Sequence, residues 1–427
     1  MKFKKLSPSL TDYLAAVSNE IAIEGRAYSM LNSSPDHLGY IPRVPRWISL
    51  GLKYPFLTNL LSKIVSFFWI AGGASLVFGI QAFVTVCRSY WRRKFSKTVA
   101  CNDYVLAFST RTGDIGLAKD AGSDANWIIF PWAPIADRGQ NASQIDYAEL
   151  LSVSDVFFAY INALKAVYLI ARRPRQKKWI LQSYTAFRWF SVRTVVENLR
   201  GPVLMTEHYD RWAVLVDGVF WRRAKRPGET LTLVQHGLVG SIYKASSPGA
   251  SDLRLPRKLR AVDKLWVYDE PSERIFCDDI LSRLCVNHAI VNRFMSVIST
   301  SDLGDDDQLR VLFVGHPLCE QAHQSLFRKM DGVQLKAYYK PHPRAEMSAQ
   351  AKIAGWTLIE DPNVFPAVDL LISYPSTLTM EYGNLAVPSL VHPMNIAADE
   401  IDEFYRLVME AVDRKKLSEG IRVIADI

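Results

Sequence analysis

Short apolar runs alternate with longer amphipathic segments from about residue 100 onwards. The runs are rich in β-branched, aliphatic and aromatic residues, a composition that favours strands. The predicted strands are residues 104–108, 127–130, 202–205, 231–234, 265–268, 310–314, 370–373 and 388–391. Helices are predicted between them, for example over 145–170 and 211–225. Strands that alternate with helices indicate an α/β protein with parallel sheets.

Residues 64–87 form an apolar run that no charged residue interrupts, and Arg88, Arg92, Arg93 and Lys94 follow it closely. The run is long enough to cross a bilayer as a helix. Gly72-Gly73 interrupts it, and basic residues occur on both sides. Three interpretations therefore remain open: a membrane span, a re-entrant or interfacial helical hairpin, or a helix pair buried against a soluble domain.

Residues 300–308 are polar, rich in Asp and without apolar periodicity, which predicts a linker between domains. The resulting division is an N-terminal extension over 1–97, a first Rossmann-like domain over 98–303 and a second over 304–427. Asp305-Asp306-Asp307 lacks the preceding strand that would fix a metal site, so no metal is predicted.

Composition narrows the range of partners. The chain has 427 residues, 49% of them apolar, which excludes wholesale disorder. A net charge of +8 suits a membrane surface or an anionic substrate. Nucleic acid is not predicted as a partner, because zinc spacings, RNP-like runs and basic-zipper patterns were not found. The five scattered cysteines indicate reduced thiols in a cytosolic setting.

Residues 172–193 interleave Arg and Lys with Trp, Tyr and Phe. Such a segment could form a basic surface that rests on anionic lipid or holds a polyanionic acceptor. It could equally be a helix whose aromatic side lies in the core.

Polar clusters follow several predicted strands of the second domain, where the ends of parallel strands form ligand sites. Lys340, His342 and Arg344 make a cationic cluster that suits a phosphate or diphosphate leaving group. Ser376 and Thr377 open a helix whose free N–H groups could bind the same phosphate, or they simply cap that helix.

Three further residues could complete the predicted binding site for a nucleotide donor. Glu381 and Glu360 are rival candidates for binding ribose hydroxyls, and His316 follows a strand that could also line the donor site.

The first domain carries the predicted acid–base residues. His236 ends the strand 231–234 and stands between Gln235 and Gly237. An imidazole titrates near neutral pH, so His236 is the candidate general base, although it could be a structural histidine instead.

Three residues that follow another strand are secondary candidates. Glu207 and Asp210 are alternative bases, and His208 could orient the acceptor or the base.

The order of three motifs resembles that of bacterial GT-B transferases of surface-polysaccharide assembly: Gln235-His236-Gly237, Lys340 to Arg344, and Ser373 to Thr377. The His-Pro motif and the hydroxyl pair are similar to those of bacterial sialyltransferases and polysialyltransferases, in which they contact the nucleotide phosphate. The Gln-His-Gly motif is similar to that of CDP-glycerol glycerophosphotransferases, in which its His is the proposed base. Glu381 matches the ribose-binding Glu of other GT-B enzymes.

This resemblance implies a GT-B fold, with two Rossmann-like domains whose parallel sheets face a cleft. It implies a metal-independent, cofactor-free glycosyltransferase that moves a sugar from a CMP-, CDP- or UDP-linked donor. The acceptor would be a capsule, lipopolysaccharide or lipid-linked glycan at the cytoplasmic side of the bacterial inner membrane. Two alternatives remain: a CDP-polyol phosphotransferase of teichoic-acid-like polymer synthesis, and a non-catalytic, membrane-docked protein that binds glycan or nucleotide.

Overall fold

A computed structural model describes most of the chain. The described residues are 6–30, 55–93, 103–109, 112, 125–133, 143–177, 179–223, 227–237, 239, 253–294, 298–303, 308–316, 318–342, 347–361, 364–394 and 396–425. The chain divides into two compact units. Unit 1 comprises Met1–His236 and Leu253–Phe294, and unit 2 comprises Gly237–Asp252 and Met295–Ile427. The helices before residue 98 therefore belong to unit 1.

Unit 1 is built on a parallel sheet. Its strands are β1 Tyr104–Ala107, β2 Asn126–Ile129, β3 Ser143–Asp146, β4 Val203–Met205, β5 Leu231–Val234, β6 Lys264–Val267 and β7 Ile290–Arg293. Their order is β3-β2-β1-β4-β5-β6-β7, and every pairing is parallel. The first six follow the Rossmann order, and the seventh extends one edge. The prediction of a parallel α/β fold is thus confirmed for this unit.

The described helices of unit 1 precede β1 or lie between its strands along the chain. They are α1 Pro8–Met30, α2 Pro55–Phe68, α3 Ala74–Arg93, α4 Val153–Ala171, α5 Pro174–Lys177, α6 Ala186–Asn198, α7 Arg211–Arg222, α8 Glu270–Ile275 and α9 Arg283–Val286. A π-helical turn, Trp69–Gly73, joins α2 to α3, and the backbone kinks at Gly72. The predicted helix over 145–170 was wrong at its start, because residues 143–146 pair as β3 and Ser152 caps α4.

The basic-aromatic segment 172–193 lies largely in the core. Trp179, Phe187, Trp189 and Phe190 are buried, and Arg193 is only 4% exposed. The core interpretation of this segment is therefore confirmed over the buried part.

A buried carboxylate attaches α1 to α6 and α7. Asp12 accepts a hydrogen bond of 2.9 Å from Arg193 and two from Arg222, one of them 2.6 Å long. Helix α7 approaches closely because Gly218 has no side chain, since a Cβ there would lie 2.4 Å from Asp12 Oδ2. On the next turns of α1, Glu20 pairs with Arg211. The first helix is thus an integral part of unit 1.

Unit 2 contains a second parallel sheet. Its strands are β8 Thr300–Ser301, β9 Leu309–Val314, β10 Leu335–Lys340, β11 Thr357–Leu358, β12 Phe365–Pro366, β13 Leu370–Ser373 and β14 Ser389–Val391. Five of them form a sheet of order β11-β10-β9-β13-β14, which is the Rossmann order without its last strand, and β8 pairs with β12 separately. Its described helices are α10 Glu320–Lys329, α11 Ala349–Lys352, α12 Thr377–Asn384 and α13 Glu400–Ala425. The predicted linker is wrong at its start, because Thr300–Ser301 is a strand of this unit.

Candidate functional site

The sheet of unit 2 has its topological switch point between β9 and β13. From β9 the chain proceeds to β10 on one side, and from β13 to β14 on the other. Ligands of such sheets bind at the carboxyl ends of the strands beside this point. His316 follows β9, His342 follows β10, and Tyr374 and Ser376 follow β13. The topology thus brings His316, His342, Tyr374 and Ser376 to one edge of the sheet.

Two histidines meet at this edge. The ring centroids of His316 and His342 lie 5.2 Å apart, and the Tyr374 ring lies 5.4 Å from His316. The backbone N–H of Leu318 donates to His316 Nδ1 at 3.2 Å. The neutral ring therefore carries its proton on Nε2. Burial, followed by the neighbouring His342, lowers the pKa of His316 to about 4, so at neutral pH it is a neutral N–H donor.

Helix α12 begins beside this pair. Ser376 is its N-cap, and its Oγ lies 2.9 Å from Ser373 Oγ. The first turn contains no acidic residue. The start of a helix carries partial positive charge and N–H groups, so Ser376 and Thr377 border a ready anion site. Glu381 lies one turn further along and is partly buried.

Lys340 is directed elsewhere. Its Nζ donates to the carbonyls of Asp361 and Val364 at 2.9 and 2.8 Å and lies 4.7 Å from the centre of the Phe365 ring. Burial lowers its pKa to about 8. Lys340 therefore ties a loop to the sheet, and the structure does not bring its ammonium to the histidine pair.

Glu360 and Arg344 were also predicted at the donor site. Glu360 is exposed at the start of the loop that Lys340 holds. Arg344 lies outside the described residues.

Unit 2 contains a second histidine pair, which is buried and whose pairing was not predicted from the sequence. His323 Nε2 and His392 Nε2 lie 2.7 Å apart, and Cys319 lies beside them. His392 Nδ1 donates to the Pro393 carbonyl at 2.8 Å, so His392 Nε2 accepts the proton of His323. Two ligands on one tetrahedral zinc would lie about 3.3 Å apart for bonds of about 2.0 Å. The observed geometry is that of a neutral hydrogen-bonded pair.

We expect unit 2 to lose stability as the pH falls below about 6.5, the unfolded pKa of histidine. Burial, then His392, lowers the pKa of His323 well below its usual value, and burial lowers that of His392. As the pH falls, the unfolded chain therefore binds protons at these two histidines before the folded chain does. For each histidine, the free energy of unfolding then falls by up to ~1.4 kcal/mol per pH unit. The contribution of the two neutral histidines to the stability of unit 2 is complete above pH ~6.5 and is lost as the pH falls. Urea unfolding at a series of pH values measures it.

Two variants test whether His323 causes this loss of stability at acidic pH. His323→Gln keeps an N–H donor for His392 but does not titrate, so its stability should fall less steeply between neutral and acidic pH. His288→Gln alters an exposed histidine and should leave the slope unchanged. An equal slope in wild type and His323→Gln would contradict the assignment.

Unit 1 presents a comparable strand edge. Thr206, Glu207 and His208 follow β4, and Gln235 and His236 follow the neighbouring β5. The backbone N–H of His236 donates to His208 Nε2 at 2.8 Å, and the two rings lie 4.3 Å apart. Two of the predicted residues are thus in direct contact.

The tautomer of His236 follows from its other contact. Its Nδ1 bonds to the Thr206 carbonyl, which can only accept. Nδ1 therefore carries the proton, and Nε2 of the neutral ring carries the lone pair. Burial, followed by the neighbouring His236, lowers the pKa of His208 well below its usual value, so His208 is a neutral acceptor of the His236 backbone N–H.

The carboxylates of Glu207 and Asp210 differ in their hydrogen bonds. Glu207 is buried, accepts from Thr206 Oγ1 at 3.4 Å, and has its pKa raised well above the usual value by burial and by Asp210. Asp210 caps α7 by accepting from the N–H groups of Trp212 and Ala213 at 2.9 and 3.0 Å. Burial raises the pKa of Asp210 to about 6. The Asp210 carboxylate is therefore engaged by the first backbone N–H groups of α7.

Gln235 and Gly237 also have local structural roles. Gln235 is fully buried, donates to Ser272 Oγ at 3.0 Å and accepts from the N–H of Tyr268 at 2.9 Å, which joins β5 to the segment after β6. Gly237 has φ of +77°, a left-handed conformation that favours glycine.

No protein-family model matches the chain, and no curated protein matches it at a significant level.

Proposed function

We propose that this protein is a metal-independent glycosyltransferase of GT-B type that uses a nucleotide-sugar donor. The observation that carries the proposal is the convergence of His316, His342 and the start of α12 at the switch point of the unit 2 sheet. These groups would bind an anion through imidazole N–H donors and a helix start, as the phosphate of a nucleotide requires.

The donor half acts on the leaving group. His316 Nε2–H, an N–H of His342 and the backbone N–H of Thr377 would donate to phosphate oxygens, whereas the backbone N–H of Ser376 donates to Thr379 Oγ1. Hydrogen bonds that strengthen as charge builds up on the departing phosphate lower the barrier. Glu381 would accept hydrogen bonds from the ribose hydroxyls.

The acceptor half supplies the base. The acceptor hydroxyl would give its proton to His236 Nε2 as its oxygen forms a bond to the anomeric carbon. The bond between that carbon and the phosphate oxygen breaks, and the electron pair leaves with the nucleotide. The bond from His236 Nδ1 to Thr206 and the contact with His208 hold the imidazole in the tautomer that this step needs. The acceptor would be a surface glycan.

We expect a cytidine or uridine nucleotide to raise the melting temperature of the purified full chain, and His342→Ala to weaken that nucleotide at least tenfold. The loss follows because one donor to the phosphate is removed. Thermal shift with CMP, CDP, UDP and GDP identifies the base, and calorimetry gives the dissociation constants.

His288→Ala is the matched control, since His288 is an exposed histidine of unit 1 that bonds to the Leu284 carbonyl. It should bind the nucleotide as wild type does. If none of the four nucleotides shifts the melting temperature, the transferase proposal fails. Transfer of a polyol phosphate with release of CMP would replace it by the phosphotransferase alternative.

A further inference from the structure

The outer surface of α2 and α3 is apolar along its length. Eight large side chains there are more than half exposed: Phe67, Phe68, Leu76, Ile80, Phe83, Val84, Tyr90 and Trp91. On α3 they recur at intervals of three, four and seven residues, which places them on one face of the helix. Monomeric soluble proteins rarely expose contiguous apolar patches of this kind. We name this surface the outer stripe.

The side of α3 that faces unit 1 makes both apolar and polar contacts. Phe78 is fully buried against Trp69, with the ring centroids 5.5 Å apart. Ser75 Oγ lies 2.7 Å from Tyr160 Oη, and Arg88 Nε donates to Asp146 at 2.6 Å. Ser89 Oγ donates to the Leu151 carbonyl at 2.9 Å. Soluble helices direct their apolar face to the core. Helix α3 also leaves a larger set of apolar side chains exposed, which the core does not cover.

Length and apolar composition alone would allow a membrane span. Lys63–Arg92 and Val153–Ala171 are both apolar and long enough to cross a bilayer. The most apolar window of Lys63–Arg92 is only 17% buried, which distinguishes it from a core helix.

The attachments of α3 oppose a span. Ser75 and Ser89 lie about 21 Å apart along the helix at 1.5 Å per residue, and both are bonded to the α/β unit. Trp69 Nε1, just before α3, donates to Ser183 at 2.8 Å. A helix held at both ends on unit 1 cannot cross hydrocarbon without carrying the attached segments of unit 1 into it.

Charge at the ends of the stripe favours lipid over another apolar surface. Tyr90 and Trp91 stand next to Arg92, which is exposed. On α4, which packs against α3, exposed Phe157 and Tyr168 continue the apolar surface, and Arg172 lies 4.2 Å from the centre of the Tyr168 ring. Aromatic rings beside arginines are the pattern of the headgroup region.

We propose that the outer stripe lies in the plane of a bilayer surface and anchors unit 1 there as a monotopic protein, without crossing the membrane. The apolar side chains enter the boundary between headgroups and acyl chains, and the arginines contact anionic headgroups. This anchoring does not depend on what the enzyme transfers.

The test is flotation of the full chain with vesicles. Wild type should float with vesicles that contain phosphatidylglycerol, and less with phosphatidylcholine alone. The triple variant Leu76→Glu, Ile80→Glu, Phe83→Glu should reduce the bound fraction at least tenfold. Ile353→Glu is the matched control, since Ile353 is 82% exposed but lies in unit 2, and it should float as wild type does.

Cys87 offers a second measurement that leaves the stripe intact, because it is exposed on α3. With Cys101→Ser and Cys277→Ser, a polarity-sensitive dye on Cys87 should shift to shorter wavelength when vesicles are added. The same dye on Ile353→Cys in a Cys87→Ser chain should not shift. Flotation of the triple variant equal to wild type, an unshifted dye at Cys87, or a stripe covered in a dimer that does not float would overturn the proposal.

Discussion

Replacing His236 with alanine is expected to lower transferase turnover by ~10²–10⁴-fold, the contribution typical of a positioned acid–base group. The loss should appear in kcat, because the acceptor hydroxyl loses the group that takes its proton. Nucleotide affinity should stay within about twofold, since the residues proposed to bind phosphate belong to unit 2. Donor consumption under saturating substrate, together with calorimetry on the product nucleotide, separates the two effects.

The pH dependence of the transfer rate distinguishes loss of the base from misfolding, because misfolding would lower the rate without changing its pH dependence. In wild type the rate should fall on the acid side as His236 Nε2 gains a proton, and that limb should be absent from the residual activity of His236→Ala. His288→Ala, the exposed-histidine control, should keep the wild-type rate and profile. Turnover of His236→Ala at the wild-type rate would remove His236 as the base.

The second large effect concerns stability. Asp12→Ala is expected to lower the unfolding free energy of unit 1 by ~3–5 kcal/mol, the usual cost of removing one partner of a buried ion pair. The substitution leaves the buried guanidinium of Arg193 without its buried carboxylate, so that only the exposed Glu197 still pairs with it, and Arg222 loses both of its bonds to Asp12. Urea unfolding followed by tryptophan fluorescence measures the change, since Trp189 lies in contact with this region.

A double variant distinguishes charge from packing. Asp12→Ala with Arg193→Met removes both buried charges, so it should be more stable than Asp12→Ala alone. Asp278→Ala alters an exposed carboxylate of the same unit and should change the free energy by less than ~0.5 kcal/mol. A loss of under ~1 kcal/mol in Asp12→Ala would show that α1 is not held by this pair.

The central strands were predictable because burial on both faces makes them continuous apolar runs. Strand β13 agrees with its predicted bounds, and β5 does too. The edge strands β3 and β7 were missed because they are only partly buried and contain Ser, Gln, Asp, Asn and Arg. Their pairing depends on the neighbouring strand rather than on their own composition.

The site was predictable only as far as strand ends determine it. His342, His316 and Ser376 were predicted to lie at one sheet edge, and each does follow a strand of one parallel sheet. The direction of a side chain depends on tertiary partners, so the engagement of Lys340 by the carbonyls of Asp361 and Val364 left no local signal.

The buried pair His323 and His392 shows the same limit. Its members are 69 residues apart, and the pattern around neither residue predicts the other.

The attachment of α1 has a consequence for synthesis of the chain. Asn19 exchanges hydrogen bonds with the backbone of Arg257, 238 residues later. At ~5–20 residues per second, a ribosome needs roughly 12 to 48 s to make the intervening chain. During that interval the outer stripe, which precedes β1, has already left the ribosome while the sheet that holds α3 is unfinished. First contact with a membrane or a chaperone would therefore come before unit 1 has folded.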